Sequence, residues 1–313
     1  MENFNRFQSK YPLKPDVVAF VEKVEASYPS HSEALSVEET RRFYEKMCAR
    51  FDPPIPDDIG IQDDVVDGRD GPVPIRLYEP HATSSGTIVI YCHGGGFAIG
   101  NLNTHDTICA DMAHHTGMQV VAVDYRLTPE HLFPAHFHDA LDVFDALDEG
   151  NTIVCGDSAG GTLAAAVCVA RHGSSRQPIG QVLIYPFLGG EILNLPSYEE
   201  ASDAPLLTTA DVHHFEQLRS AGNPRNDDAT YFPLVFRNFS GMPPCAAFAA
   251  EFDPIRDDSV EYVKRLKAAG VKAECTVEKG LVHGYLRGRH ECADIGDSFK
   301  RICDALRKLG KID

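Results

Sequence analysis

The sequence predicts an α/β fold in which helices cover both faces of a mainly parallel sheet. Six short apolar runs recur along the chain and alternate with helical patterns. Most of these runs lack polar alternation, which is typical of strands that are buried on both faces. A strand, helix, strand order repeated this often indicates parallel crossovers. A chain of 313 residues, 43% of them hydrophobic, can bury a core of this size.

The apolar runs give the predicted strands. They cover residues 87–92, 118–125, 152–155, 181–186, 245–252 and 273–278. Two further runs come earlier, at 59–66 and 73–79, and a turn-like Asp-Gly-Arg-Asp-Gly-Pro segment separates them. This pattern predicts an antiparallel pair at one edge of the sheet.

Helical patterns fill the intervals between the later strands. They cover residues 104–117, 134–147, 160–173 and 257–270. For the last of them we expect Asp257 or Asp258 to cap the N-terminus, because a short acidic side chain can accept the free amide N–H groups there. We expect Gly270 to end the helix.

Two segments depart from this alternation. Residues 1–50 hold two amphipathic helical patterns, near 16–27 and 36–50, ahead of any strand. Residues 188–225 are rich in Pro, Ser and Asp and contain one helical pattern. An insertion of this length is too long for an ordinary loop, and such segments commonly form lids or binding walls.

We therefore predict N-terminal cap helices at 1–50 and a catalytic domain at 51–313 that carries a cap insertion at about 188–225. Together the two segments are expected to cover one end of the sheet. Three N-terminal aromatic residues either line a pocket under this cap or pack within it, and both interpretations stay open: Phe4, Phe7 and Tyr11.

Charge and composition exclude several classes of function. The chain has 29 Lys and Arg against 46 Asp and Glu, a net charge of -17, so its surface repels nucleic acid and anionic lipid. The apolar run at 17–21 is too short for a signal peptide or a membrane span. Nine cysteines, an odd number without a C-x-x-C pair, favour a reducing compartment. We expect a cytoplasmic protein.

A serine lies in a glycine-rich turn after the predicted strand at 152–155. The segment 156–160 reads Gly-Asp-Ser-Ala-Gly and matches G-x-S-x-G between a strand and a helix, the context of a nucleophile elbow. Its small residues allow a sharp turn that exposes the oxygen of Ser158. A phosphate-binding loop is excluded because Thr162 stands where that loop needs its lysine. The pattern predicts Ser158 as a nucleophile.

A second glycine-rich segment, His-Gly-Gly-Gly at 93–96, follows the predicted strand at 87–92. Consecutive glycines expose backbone N–H groups without obstructing side chains, so Gly94 and Gly95, with the N–H of Ala159, are expected to bind a developing oxyanion. We expect three neighbours to support this arrangement from behind: His93, Gly96 and Asp157.

These motifs, with others in the same order, make the chain resemble the hormone-sensitive-lipase-like branch of the α/β-hydrolases, also called the bacterial family IV esterases. The blocks are HGGGF at 93–97 with His105 and Asp106, VDYRLTPEH with FPA at 123–135, GDSAGG at 156–161, LIYP at 183–186, DPIRDD at 253–258 and HGY at 283–285. The resemblance implies an α/β-hydrolase fold with a helical cap. It also implies a serine that attacks an ester carbonyl and an oxyanion hole from the glycines.

The serine needs a base, which in α/β-hydrolases comes last in the chain order Ser, acid, His. His283 follows the predicted strand at 273–278 and precedes Gly284, and we predict that it is the base. His290 is a weaker candidate because its surroundings indicate the approach to the terminal helix.

The acid that orients this base is expected on a loop after a late strand. Asp253 directly follows the predicted strand at 245–252 and precedes Pro254. Glu251, two residues earlier, would share the same strand face and is the rival. We predict Asp253. Its role would be to hold the histidine tautomer and to stabilise the imidazolium.

The sequence thus predicts a serine carboxylesterase that needs no cofactor. A metal is not expected, because the His-Phe-His-Asp run at 136–139 directs its side chains to different sides of a helix. The resemblance implies short-chain acyl esters as small-molecule substrates and a possible homodimer, with residues 273–310 as a reasonable interface. Two alternatives stay open: an amidase or lactonase with the same residues, and a non-catalytic receptor such as the plant gibberellin receptors, against which the presence of His283 argues.

Overall fold

The computed structural model describes residues 10–29, 35–82 and 86–311. One eight-stranded sheet forms its centre, in the order β1-β2-β4-β3-β5-β6-β7-β8. The strands are β1 (Ile59–Gly68), β2 (Gly71–Pro80), β3 (Ile88–Cys92), β4 (Gln119–Val123), β5 (Thr152–Asp157), β6 (Gly180–Ile184), β7 (Cys245–Phe252) and β8 (Ala273–Val282).

Strand directions agree with the predicted α/β-hydrolase class. β1 and β2 form an antiparallel hairpin at one edge, β2 pairs antiparallel with β4, and all other neighbouring strands are parallel. At the other edge, β8 is longer than the predicted strand at 273–278. It continues because Phe252 pairs with Val282 beyond an irregularity in β7. This extension brings the next residue, His283, to the end of the sheet.

Helices follow the strands as the periodicity predicts, with ends that differ by a few residues. They are α1 (Pro15–Glu25), α2 (Val37–Ala49), α3 (Asp106–Thr116), α4 (Ala135–Leu147), α5 (Ala159–Ala170), α6 (Ser197–Glu200), α7 (Thr209–Ser220), α8 (Arg256–Ala268) and α9 (Ala293–Leu309). The predicted α/β architecture is confirmed.

The capping prediction for α8 is wrong. Ile255 occupies the N-cap position, and Asp257 and Asp258 lie inside the first turn. The carboxylate of Asp258 is fully buried and accepts the amide N–H groups of Leu188 and Gly190, at 2.6 and 3.1 Å. A buried carboxylate needs donors, and the insertion after β6 supplies them. Asp258 therefore attaches that insertion to α8.

Two cores lie on the two faces of the sheet. Along β4, Val120 and Ala122 join the cluster that contains α3 and α9, whereas Val121 and Val123 join the cluster that contains α4, α5 and α8. Successive side chains of a strand point to opposite faces. Both faces of the central strands are therefore apolar, which explains why the runs lacked polar alternation.

Helices α1 and α2 and the insertion with α6 and α7 do not belong to the alternation of strands and helices, although apolar side chains of each join one of the two cores. They coincide with the two segments that departed from the alternation, although residues 1–9, which include Phe4 and Phe7, and 30–34 lie outside the described residues. The division into a cap and a catalytic domain stays a prediction, as does the homodimer at 273–310. In the described part of the chain, no helix combines the length and apolar character that crossing a membrane requires.

Candidate active site

Three predicted side chains follow three parallel strands at the same edge of the sheet. Ser158 comes directly after β5, Asp253 directly after β7 and His283 directly after β8. Because the carboxyl ends of parallel strands lie together, residues distant in sequence converge there. Asp253 and His283 are almost completely buried, with exposed fractions of 0% and 9%.

The turn that holds Ser158 is tight and strained. The serine has φ 52° and ψ -119°, a conformation that costs free energy in a non-glycine residue. Neighbouring glycines are required by space, since a Cβ atom at Gly160 would lie 1.9 Å from the carbonyl oxygen of Cys92, and one at Gly156 would lie 2.4 Å from the backbone of Gly160. The amide of Ser158 donates to the carbonyl of Ile184 at 2.9 Å. This is the local geometry of a nucleophile elbow.

The imidazole of His283 lies between the other two side chains. Its Nε2 atom is 3.0 Å from Oγ of Ser158, and its Nδ1 atom is 2.8 Å from Oδ2 of Asp253. The other oxygen of Asp253 accepts the amide N–H of Ile255 at 3.0 Å. The structure thus brings the serine, histidine and aspartate into one hydrogen-bonded line.

The rival residues point elsewhere. Nε2 of His290 is 2.7 Å from the carboxylate of Asp111. The carboxylate of Glu251 accepts from Nζ of Lys279 at 2.7 Å and from the amide of Gly280 at 2.8 Å. Neither side chain has a described contact with the serine or with His283.

The glycine loop (residues 93–97) requires a correction to the predicted oxyanion site. The amide N–H of Gly94 donates to Oδ1 of Asp157 at 2.9 Å, so it does not face the space above the serine. Gly95 and Gly96 line that space together with Ala159. Among the described residues, no protein group accepts the amide N–H of these three. Gly96, which the sequence predicts only as a support of the loop, therefore lines the space above the serine in place of Gly94.

The conformation of the loop depends on glycine at both positions. Gly95 has φ 129° and Gly96 has φ 58°, values that favour glycine. A Cβ atom at Gly95 would lie 2.1 Å from the carbonyl oxygen of Ile99, and one at Gly96 would lie 2.2 Å from the ring of Phe215. Substitution would therefore displace the loop.

Beneath the loop, Asp157 is the centre of buried hydrogen bonds. Its Oδ1 atom accepts from Gly94 and from the hydroxyl of Tyr91 at 2.7 Å, and it lies 3.4 Å from Nε2 of His105. Burial by itself raises the pKa of Asp157. The imidazole of His105, the hydroxyl of Tyr91 and the guanidinium of Arg287 outweigh that effect and hold the pKa well below its usual range. Asp157 is therefore a buried anion.

His93 lies in the same buried layer. Its Nδ1 atom is 2.8 Å from the carbonyl oxygen of Gly94, and its ring stacks on Tyr125 at a centroid distance of 4.3 Å. Burial, together with the facing ring of His105, lowers the pKa of His93 to about 3. The neutral ring therefore lies directly behind the glycine loop and contacts its backbone.

The side chains beneath the loop form one buried polar network: Tyr91, His93, His105, Asp157 and Arg287. The sequence predicts a role for His93 and Asp157 but none for the other three. His105 belonged to a recognised motif without an assigned task, and Arg287 follows the HGY block by two residues. Tyr91 lies inside a strand, where the sequence contains no signal of a polar role. Arg287 donates from Nη1 to the carbonyl of Thr104 at 2.7 Å and from Nη2 to the hydroxyl of Tyr44 at 2.8 Å.

A cavity of about 880 Å³ opens over the serine, a size typical of small-molecule sites. The side of the sheet contributes Ser158, His283 and the glycine loop. Helices α1, α2 and α7, with the segment before α7, contribute mostly apolar side chains, among them Val24, Tyr44, Leu207, Val212 and Phe215. Arg287 and Glu216 are charged members of the wall. The cavity can hold a compact organic molecule against Oγ of the serine.

The His-Phe-His-Asp run at 136–139 does not converge on one point. His136 faces Arg219, His138 faces Asp70, and Asp139 accepts from Arg126. Within residues 10–29, 35–82 and 86–311, no group of three or more His, Cys, Asp and Glu side chains is arranged to hold a metal ion.

Comparison with known proteins places the chain in a family. A family model described as the alpha/beta hydrolase fold matches residues 89–287. The chain is an α/β hydrolase. This hydrolase is 31% identical to a protein named ethyl acetate hydrolase from Pseudomonas putida, over 95% of its own length and 99% of that relative. It is 37% identical to carboxylesterase NlhH of Mycobacterium tuberculosis, over 70% of its length and 73% of the relative.

Solved structures agree with this assignment. An esterase from the archaeon Pyrobaculum calidifontis superposes on the hydrolase with a TM-score of 0.86 and 30% identity, covering 95% of this chain and 98% of the other. An esterase of the bacterial hormone-sensitive lipase family superposes with a TM-score of 0.84 and 26% identity, covering 95% and 98%. The hydrolase therefore belongs to the hormone-sensitive-lipase-like esterases, and the resemblance in its motifs is confirmed.

Proposed function

We propose that this carboxylic-ester hydrolase cleaves short-chain acyl esters with Ser158 as nucleophile, His283 as general base and Asp253 as the residue that orients the base. The observation that carries the proposal is the hydrogen-bonded line in which Nε2 of His283 lies 3.0 Å from Oγ of Ser158 and Nδ1 lies 2.8 Å from Asp253. Both distances are within the range for proton transfer and for orientation of a base.

In the first half of the reaction, Oγ attacks the ester carbonyl while Nε2 of His283 takes the hydroxyl proton. The carbonyl oxygen becomes an oxyanion, which the amide N–H groups of Gly95, Gly96 and Ala159 bind. Asp253 accepts the Nδ1 proton of the imidazolium in a hydrogen bond and stabilises its charge. The C–O bond to the alcohol then breaks, and the alcohol leaves with the proton from Nε2.

In the second half, water attacks the acyl-enzyme carbonyl and gives a proton to Nε2 of His283. The same three amides bind the second oxyanion. The bond between Oγ of Ser158 and the acyl carbon then breaks, Oγ regains the proton, and the carboxylic acid is released. The cycle consumes one water and needs no cofactor.

The substrate class is supported by relatives and by charge. One relative is named ethyl acetate hydrolase, and another, from Salmonella dublin, is named acetyl esterase. The net charge of -17 disfavours anionic substrates, and the cavity wall is mostly apolar. Neutral esters of short acids fit these observations best.

We also propose that the N-terminal helices and the insertion at about 188–225 form a cap over the substrate. Both contribute residues to the cavity, among them Tyr44 and Phe215. A cap of this kind excludes water other than the hydrolytic molecule and strengthens the electrostatic interactions in the site.

Hydrolysis of p-nitrophenyl esters of increasing acyl length tests the proposal. We expect the highest kcat/KM with acetate to butyrate, and we expect Ser158→Ala to lower kcat about a million-fold, because the hydroxyl and its base act as one unit. Ser240→Ala is the matched control, since that serine is exposed on the far loop before β7.

The same panel includes a p-nitroanilide and a lactone, which test the amidase and lactonase alternatives. Faster turnover of either compound than of the esters would contradict the substrate class. A Ser158→Ala protein that retained a tenth of the wild-type rate would contradict the role of the serine.

A further inference from the structure

Helix α7 of the insertion packs directly on the glycine loop. The ring of Phe215 lies against Gly96, so closely that a Cβ atom there would meet it at 2.2 Å. One turn later on the same helix face, the guanidinium of Arg219 lies 3.9 Å from the ring centroid of Phe97. Residues four apart on a helix share a face. The two side chains therefore contact two consecutive residues of the loop that supplies the oxyanion amides.

Arg219 is held between aromatic rings. Its guanidinium carbon is 3.7 Å from the ring centroid of Tyr231, in addition to its contact with Phe97. Its Nε atom donates to Nε2 of His136 at 3.3 Å. A planar guanidinium stacked between two rings is a cation–π arrangement. We call these contacts of Arg219 with Phe97 and Tyr231 the cap contact.

The polar surroundings of Arg219 are incomplete. The residue is fully buried, yet neither Nη1 nor Nη2 has a hydrogen-bond acceptor among the described residues. Glu216, one turn earlier, uses its carboxylate to accept the hydroxyl of Tyr231 instead of pairing with the arginine. Burial lowers the pKa of Arg219 to about 10, so the side chain remains a cation near pH 7. A buried cation without paired acceptors is a poor contributor to fold stability.

The residue that Arg219 holds is itself in a strained conformation. Phe97 has φ 62°, which is uncommon for a residue with a side chain. Its carbonyl oxygen accepts the amide of Thr128 at 2.9 Å. Immediately after the loop, the amides of Ala98 and Ile99 both donate to the carbonyl of Gly95. A shift of Phe97 would therefore move Gly95 and Gly96 with it.

We infer that Arg219 is a positioning residue for catalysis, which clamps Phe97 from the cap and thereby fixes the amide N–H groups of Gly95 and Gly96 at the oxyanion. The inference rests on the proposed function of those amides. This role gives a reason for the buried guanidinium of Arg219, whose Nη1 and Nη2 atoms have no hydrogen-bond acceptor among the described residues. It also makes the cap a part of the catalytic machinery as well as a wall of the substrate cavity.

The variant Arg219→Met tests the inference, because methionine keeps most of the volume and removes the charge and the planar stack. We expect kcat to fall about tenfold to a hundredfold, less than the loss of a complete oxyanion donor, while KM stays within about twofold. Thermal unfolding should be unchanged or shifted upward, since a poorly paired buried charge is removed. Gln217→Ala, on the exposed side of the same helix, is the control and should match the wild type.

A transition-state analogue separates positioning from a general structural role. An alkyl boronic acid that forms a tetrahedral adduct with Ser158 should bind Arg219→Met more weakly, by the same factor as the loss in kcat/KM. Inhibition by the product carboxylic acid should stay unchanged.

Arg219→Lys keeps the charge without the planar stack and should recover only part of the rate. Phe97→Leu should lower kcat similarly, and the double variant should lose little more than either single variant.

Three results would overturn the inference. They are a kcat within twofold of wild type in Arg219→Met, a rise in KM at constant kcat, or additive losses in the double variant. Should Arg219→Met fail to fold, Phe97→Leu and Arg219→Lys provide the same measurements. Failure of the proposed function would be distinguishable, because the wild type would then hydrolyse no ester or Ser158→Ala would remain active.

Discussion

Arg287 and Arg219 are both buried next to the active site, but their polar surroundings differ. Arg287 follows the loop of His283 and donates to Thr104 and Tyr44, with Nη2 also 3.3 Å from Nε2 of His105. Arg219 comes from the insertion. It has one neutral imidazole as a partner, and two of its nitrogens lack acceptors in the described chain. The guanidinium of Arg287 is held by hydrogen bonds, whereas that of Arg219 mainly contacts the rings of Phe97 and Tyr231.

The two arginines thus differ in what they stabilise: the contacts of Arg287 stabilise the fold, whereas those of Arg219 serve the site. A satisfied buried network strengthens in a low-dielectric interior and makes its surroundings rigid. Arg287 also lies within electrostatic range of the buried Asp157 anion, which holds Gly94. Arg219 also has a carboxylate within electrostatic range, that of Glu216, but this carboxylate accepts the hydroxyl of Tyr231 and no N–H group of the guanidinium. We therefore expect loss of Arg287 to unfold the protein more readily, and loss of Arg219 to impair turnover at little cost in stability.

The largest effect is expected for Arg287→Met. This change removes the hydrogen bonds to Thr104 and Tyr44, and it removes one of the groups that stabilise the Asp157 carboxylate. Each polar group left buried without its partner costs about 1–3 kcal/mol, measurable as a lower midpoint in urea unfolding. Arg219→Met is the matched comparison and should change the free energy of unfolding by less than about 1 kcal/mol. Equal losses of unfolding free energy in the two variants would contradict this difference between the two arginines.

A pH effect of intermediate size is expected from His93 in the same network. Its pKa is lowered to about 3 in the folded protein, whereas an unfolded histidine titrates near 6.5. Between these values the unfolded chain binds a proton that the folded chain excludes. The free energy of unfolding should therefore fall as the pH falls from 6.5 towards 3, by about 1.4 kcal/mol per pH unit for this group, or about 2 kcal/mol at pH 5.

The slope of stability against pH isolates this contribution. His93→Gln cannot titrate, so its unfolding free energy should depend less steeply on pH between 6.5 and 5 than that of the wild type. Packing losses shift the whole curve but leave its slope unchanged. A variant with the wild-type slope would show that His93 does not exclude a proton in the folded state.

The sequence predicted the fold because its signals are local. The strands could be located because both sheet faces are apolar. Ser158, Asp253 and His283 could be located because each lies in a short motif just after a strand. The donor role of Gly94 was wrong for a physical reason. Three adjacent glycines look alike until an acceptor, here Asp157, is brought to one of them by the fold.

Long-range partners explain the other gaps. The sequence predicts Asp257 or Asp258 as a cap because a helical pattern follows them, whereas the donors to Asp258, Leu188 and Gly190, come from the insertion. Arg219 carried no signal, since its partner Phe97 lies in a distant motif and contacts it through a ring face. Patterns of hydrophobicity predict which face of a helix or strand is buried. They contain no information about which polar group contacts that buried face.

The smallest effect is expected for Arg41, a third arginine near the loop, which is partly exposed. It comes from α2 and donates from Nε to the carbonyl of Ala98 at 2.7 Å, from Nη2 to the carbonyl of Thr128 at 2.8 Å, and to the carboxylate of Glu130. It thus contacts the residue after the glycine loop, but with hydrogen bonds instead of a ring stack. Arg41→Met should lower stability by about 1 kcal/mol and kcat severalfold, measured by urea unfolding and by hydrolysis of p-nitrophenyl acetate.

Glu130→Gln is the matched control for this arginine. It removes the charge of a carboxylate that is 53% exposed, where an ion pair is worth about 0.5 kcal/mol or less, and it leaves the bonds of Arg41 to Ala98 and Thr128 in place. Its kcat should equal that of the wild type. If Glu130→Gln lowered kcat as much as Arg41→Met, the ion pair between Arg41 and Glu130 would be what fixes the loop. The hydrogen bonds of Arg41 to the backbone would then have no such role. In that case the charge of each arginine, and not its hydrogen bonds or ring contacts, would determine how it acts on the loop.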